Sequence, residues 1–209
     1  MMIAALLAVL ALGAEVQAPR PPATAEQLVA CTDESGRRDD SAIIAACTAV
    51  LEAGNTDETT RLNALSHRAR AYDRLFDYRH ALPDFREAAR IAPRNPRLLN
   101  GLCWSLAVLG ESLDEALAAC NAALEDSPGN PAVLDSRGLV ELKQGRFQEA
   151  WNDYNAAVQT EPRGLSWLYG RGIAAIRLGR EAEGRADLAA AEAAYPSIAA
   201  MYERYGIRP

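Results

Sequence analysis

Four prolines, Pro93, Pro128, Pro162 and Pro196, fall 35, 34 and 34 residues apart. No other feature limits the fold of this chain so strongly. A period of that length marks a supersecondary unit that cannot bury its apolar face alone and must stack on copies of itself. The unit is clearest at 130–162, NPAVLDSRGLVELKQGRFQEAWNDYNAAVQTEP. One helix is predicted to run to about Lys143, where Gly145 breaks it. A second runs from Gln148 to about Thr160, and Pro162 stops it. Small residues recur on the first helix at Ala69, Gly138 and Gly172. Alanines recur on the second at Ala81, Ala116 and Ala150, and again at Ala88, Ala123, Ala157 and Ala191. Between those alanines stand Phe85, Tyr154 and Leu188. Small residues at facing positions let two helices approach closely, and the larger side chain fills the remaining volume.

The period and its punctuation resemble the tetratricopeptide repeat family. The resemblance covers roughly 62–198, as repeats 62–95, 97–130, 131–164 and 165–198. It implies an all-α, right-handed solenoid of about four helical hairpins with capping helices at both ends. Residues 41–51, SAIIAACTAVL, read as a lone second helix that caps the front. Residues 199–206 read as the rear cap, with Met201, Tyr202 and Tyr205 available to cover the last repeat. Two slots depart from the pattern. Trp104 stands where the other repeats carry Ala69, Gly138 and Gly172. Gly184 replaces the helix alanine of the last repeat, which should weaken that helix by up to about 1 kcal/mol.

Ahead of the solenoid (39–209) lie a leader and a linker. Residues 3–14 form an apolar run followed by small residues and a proline-rich stretch, Arg20-Pro21-Pro22. This reads as a signal peptide, 1–18, and 19–38 as a linker and N-terminal capping segment. The run is shorter than the roughly 20 apolar residues that span a bilayer. The expected location is therefore periplasmic or secreted. No Lys or Arg precedes Arg20, so a membrane contact through an uncleaved leader and a cytoplasmic location remain the alternatives. A hydrophobic fraction of 49% is globular, and a net charge of −6 gives nucleic-acid binding no electrostatic support.

Superimposing the repeats aligns Cys103 with Arg68, Arg137 and Arg171. It aligns Ala119 with Asp84, Asp153 and Asp187. The three repeats that carry the Arg carry the Asp, and the repeat that lacks one lacks both. Within a hairpin the two slots lie about equally far from the turn. An interhelix Arg–Asp pair is therefore expected in repeats one, three and four. In repeat two Cys103 and Cys120 are also nearly equidistant from the turn, which suits a disulfide. Cys31 and Cys47 flank the polar stretch DESGRRDD and form the second expected bridge. The alternative is four buried free thiols in a cytosolic protein.

No catalytic set converges: the chain has no phosphate-cradling loop and no GxSxG, HExxH or CxxC. His67 and His80 show no ligand spacing with the cysteines, and calcium at DESGRRDD is opposed by its two arginines. No cofactor or metal is expected. In the family the first helices line a concave groove that binds a protein or peptide. Carried over slot by slot, the lining is Ser66, Arg70, Asp73 and Arg74, then Gly101, Ser105, Val108 and Leu109. It continues with Asp135, Leu139, Leu142 and Lys143, and ends at Tyr169, Ile173, Ile176 and Arg177. The apolar members could equally pack helix to helix. The resemblance implies a non-enzymatic scaffold or adaptor, and the leader points to the bacterial cell envelope as its place. The rivals are an accessory factor of an envelope or thiol-redox assembly system and a self-assembling structural scaffold.

Overall fold

The computed structural model describes residues 20–32, 38–54 and 56–209. The leader and the first five residues of DESGRRDD lie outside the described residues. Those described form eleven helices and no strand. They are α1 (Ala25–Thr32), α2 (Asp40–Glu52), α3 (Glu58–Arg74), α4 (Tyr78–Ile91), α5 (Pro96–Leu109) and α6 (Leu113–Asp126). After them come α7 (Pro131–Lys143), α8 (Phe147–Thr160), α9 (Leu165–Arg177), α10 (Glu181–Ala194) and α11 (Ile198–Arg204).

Local chemistry sets the helix starts. Asp39, Asp57 and Asp77 accept hydrogen bonds from the backbone N–H of Ala42, Thr60 and His80, capping α2, α3 and α4. Asn95 and Asn130 do the same for α5 and α7, and each is followed by a proline at the first helical position. Pro96 and Pro131 lose nothing there, because that N–H has no intrahelical acceptor.

Consecutive helices pack as hairpins, α3 on α4, α5 on α6, α7 on α8 and α9 on α10. The first helices also touch one another along the series α3, α5, α7 and α9. Among the described residues, the second helices of the repeats stand farther apart and meet only through long side chains, as where Arg86 of α4 reaches Glu115 of α6 and Trp151 of α8 reaches Glu183 of α10. The first helices thus lie on the inner, tighter side of the curve. Ala81, Ala116 and Ala150 are fully buried, as are Ala88, Ala123, Ala157 and Ala191. Tyr154 is fully buried beside Gly138, where an added Cβ would come within 2.8 Å of the tyrosine ring.

Three features differ from the sequence reading. Residues 41–51 are not a lone helix, because α1 packs against α2 and α3 and makes a short hairpin at the front. Gly184 is more than a weak spot. A Cβ on it would lie 2.5 Å from the carbonyl oxygen of Gly172, so these glycines let the backbones of α9 and α10 touch. The turn after α3 places Phe76 at φ 58°, the slot that Gly145 and Gly179 fill at 74° and 79°. Phe76 is 67% exposed, so burial does not offset the strain of that conformation.

Candidate functional site

The site begins with what joins the helices. Arg68 meets Asp84 through two parallel hydrogen bonds, Nε to Oδ2 at 2.7 Å and Nη2 to Oδ1 at 2.8 Å. Arg137 meets Asp153 the same way at 2.6 and 2.8 Å, and Arg171 meets Asp187 at 2.7 and 2.9 Å. Each guanidinium also reaches back to the preceding hairpin. Arg68 Nη1 donates to Thr48 Oγ1, Arg137 Nη1 to Asn121 Oδ1 and Arg171 Nη1 to Asn155 Oδ1. This third contact ties repeat to repeat. Its signal was present in the sequence, since Thr48, Asn121 and Asn155 occupy one slot, two positions after the Asp slot. The corresponding residue before Cys103 is Arg86, which pairs with Glu115 instead.

The cysteines meet in two pairs. Cys31 and Cys47 have sulfurs 2.08 Å apart, and Cys103 and Cys120 have theirs 2.05 Å apart, both at disulfide distance. The first pair joins α1 to α2, and the second joins α5 to α6. Cys47, Cys103 and Cys120 are fully buried.

The concave face divides into an open part and a covered part. The open part is a cleft of about 1120 Å³ walled by Arg70 and Asp73 of α3, Phe85 of α4, Arg97, Gly101 and Trp104 of α5, Val133 of α7 and the turns that precede α5 and α7. Arg70 and Arg97 are exposed. Partial burial raises the Asp73 carboxyl above its ordinary range, while Arg74 and Arg70 pull the other way. Asn100 also lines the cleft, and its buried Oδ1 accepts no hydrogen bond.

Many of the residues expected along the groove offer it little or nothing. Ser105, Leu139 and Ile173 are almost wholly buried. Ile176 packs toward Gly184, where its Cγ1 would meet an added Cβ at 2.6 Å. Ser66 Oγ donates to the carbonyl of Leu62, and Arg74 pairs with Asp40. Lys143 Nζ donates to the Val108 carbonyl at 3.1 Å, and burial lowers its pKa. Val108 and Leu109 are partly buried against the core. The helical period put these residues on the inner helices, but close contact between those helices turns several of them into the seam.

The chain's own C-terminal segment covers the rest. Tyr202 lies 4.9 Å from the Tyr169 ring and donates its hydroxyl to the Ser166 carbonyl at 2.8 Å. Tyr205 stands edge-on to Trp104 at 5.4 Å, far beyond the last repeat. Arg177 Nη2 donates to the Arg208 carbonyl. Leu142 is 6% exposed and belongs to the cluster that Tyr202 joins. Beneath Tyr202, Asp135 accepts from Ser166 Oγ at 3.1 Å. Asp135 keeps some surface overall, but its carboxyl group is enclosed, and burial lifts its pKa to about 7.

Among the described residues no group of three or more His, Cys, Asp or Glu could hold a metal ion, and no helix is long and apolar enough to cross a membrane. Comparison with known proteins agrees with the architecture. A MamA protein from Desulfovibrio magneticus superimposes with a TM-score of 0.65 at 12% identity, over 84% of this chain and 98% of that one. A tetratricopeptide repeat protein from Parabacteroides merdae gives 0.64 at 18% identity, over 86% and 70%. YrrB, described as a TPR protein with an unusual peptide-binding site, gives 0.62 at 19% identity, over 79% and 83%. At such identities these likenesses speak for the fold alone. No curated protein matches the chain in sequence. The tetratricopeptide repeat family model matches residues 67–131 and 136–198, more than half of the chain. With four hairpins of one period, small-to-large packing and a shared inner face, the chain belongs to the tetratricopeptide repeat family.

Proposed function

We propose that the chain is a non-enzymatic interaction scaffold of the bacterial cell envelope that binds a protein segment in the open part of its concave face. The cleft between α3, α5 and α7 carries this reading. It offers a flat aromatic wall at Trp104 and two exposed guanidinium groups at Arg70 and Arg97. A segment with an acidic group and an apolar anchor meets both. The peptide-binding site described for YrrB lends the reading support, as does the use of this family for holding proteins together. Paired, buried sulfurs favour an oxidising compartment and oppose a thiol-redox role, which needs an accessible thiolate.

The test is charge reversal at the cleft. Arg70→Glu with Arg97→Glu should remove most partners captured from an envelope extract, while helical circular dichroism and melting temperature stay unchanged. Retention of the whole partner set by the folded variant refutes the reading. Intact mass of protein recovered from its native host tests the compartment. A mass lacking the leader, with no alkylatable thiol before reduction, is expected; full length with four free thiols would place it in the cytoplasm.

A further inference from the structure

A helix that only caps a solenoid covers the last hairpin. Here α11 touches α9 and α10, as a cap does. Ile198 at its start is fully buried and supplies that function. The residues after it go further. Tyr202 and Tyr205 sit three positions apart, on one helical face, and both point into the groove. Tyr202 seats on Tyr169 and Ser166, in the last repeat. Tyr205 is 6% exposed and reaches Trp104, in the second repeat. Met201 and Ile207 pack against both main apolar clusters of the chain. The segment therefore lies across the concave face and fills the seat next to the open cleft.

The unusual tryptophan belongs to this seat. The slot of Trp104 is alanine or glycine in the other repeats, where it faces the second helix of its own hairpin. In repeat two the side chain stands edge-on to both Tyr78 and Tyr205. One wall of the open cleft is thus also the terminal contact of the tail.

The attachment of the tail is made mostly by side chains. Its polar contacts with the groove include the Tyr202 hydroxyl on the Ser166 carbonyl, Arg177 on the Arg208 carbonyl, and the approach of the Tyr205 and Tyr202 hydroxyls to those of Tyr78 and Tyr154. The Glu203–Arg208 pair lies within the tail itself. A helix of seven residues does not persist on its own, so its order depends on the groove it occupies. An opening that leaves Ile198 seated on the last hairpin bends the chain at Ala199 and Ala200 and uncovers the apolar seats of Tyr202 and Tyr205.

We propose that residues 201–208 are a resident ligand of the chain's own groove. The partner is an amphipathic segment whose acidic group enters the open cleft and whose continuation carries two aromatic side chains three positions apart, which displace Tyr202 and Tyr205. This rests on the scaffold reading above and names the chemistry of its partner. Displacement makes binding conditional. The apparent affinity of the groove falls by the fraction of time it is open.

The experiment uses the full chain and a labelled peptide of the tail's own sequence, SIAAMYERYGIRP. Binding is read by fluorescence anisotropy to the native chain and to Tyr202→Ala/Tyr205→Ala. The peptide should bind the variant at least about tenfold more tightly, because its internal competitor is weakened. Unlabelled peptide should compete. Equal affinities, or no binding to a variant that keeps its helical spectrum, overturn the proposal. Hydrogen exchange on the native chain gives a second reading that needs no variant. Amides of 201–207 should exchange at least about tenfold faster than those of α9, reporting a local opening. Equal protection makes the segment an integral cap and overturns the proposal. A native chain that dimerises with rising concentration, and loses this with Tyr205→Ala, makes a second copy's tail the occupant and also overturns it. The charge-reversal variant separates the two readings. If the peptide fails but Arg70→Glu/Arg97→Glu still releases the partners, only the resident-ligand inference falls.

Discussion

Removing one carboxylate from an interhelix pair should cost less in repeat three than in repeat one. Asp84 is 4% exposed and holds Arg68 through two bonds. Asp84→Ala leaves a mostly buried guanidinium with Thr48 alone. Loss of one partner of a buried pair costs about 3–5 kcal/mol, whereas an exposed pair is worth about 1 kcal/mol or less. The Arg68 side chain keeps 21% of its surface, so about 3 kcal/mol is the expected cost. Repeat three differs in one group. Glu141 stands one turn beyond Arg137 on α7, where Arg68 has Tyr72. Burial, with the Asp153 charge second, raises the Glu141 pKa to about 8, and its Oε2 has no hydrogen-bond partner. Asp153→Ala removes that repulsion. Glu141 can then ionise and pair with Arg137, which brings the cost down to about 2 kcal/mol. Urea denaturation of the oxidised chain at pH 8 reads both variants. At roughly 2–4 °C per kcal/mol, the melting temperatures should fall by about 6–12 °C and 4–8 °C. The double variant Asp153→Ala/Glu141→Gln should regain the full cost seen in repeat one. Equal costs in the two repeats, or costs under about 0.5 kcal/mol in both, refute the argument.

Three further perturbations probe other parts of the molecule. Gly184→Ala should destabilise by about 1–3 kcal/mol despite the gain in helix propensity, because the new Cβ meets the Gly172 carbonyl; a raised melting temperature would show that α9 and α10 can separate at no cost. Phe76→Gly should stabilise by about 1 kcal/mol, since it relieves a left-handed backbone at an exposed residue; an unchanged or lower urea midpoint would reveal a contact that the ring makes and glycine cannot. Asp135 binds a proton in the fold up to about pH 7 and releases it in the unfolded chain near pH 4, so its contribution to stability is complete below pH 4 and is lost as pH rises through 7. Asp135→Asn should therefore flatten the fall in melting temperature between pH 5 and pH 8, and parallel curves for variant and native chain would count against the buried carboxyl.

Much of this architecture is legible in the sequence because four copies of one unit comment on each other. Arg137 alone is an arginine on a helix. Set beside Arg68, Arg171 and the exception Cys103, it becomes one half of a pair whose other half must vary with it. The same comparison reaches Thr48, Asn121 and Asn155, provided the slot two positions after the aspartate is also followed. It fails wherever a residue has no counterpart. Phe76 reads as a turn residue, because the strain is visible only once a backbone angle is known. Gly184 reads as a lapse in helix propensity, because the close approach of α9 and α10 depends on Gly172 across the interface. Tyr205 is the clearest case. It lies beyond the last repeat, so no slot predicts where it goes, and its contact with Trp104 spans two hairpins. Periodicity specifies what each repeat shares with its neighbours. What distinguishes this chain from another solenoid is carried by residues that break the period. Trp104 breaks it from inside and Tyr205 from outside, and the two meet in the groove. A partner that enters the open cleft comes up against Trp104, and Tyr205 lies behind it.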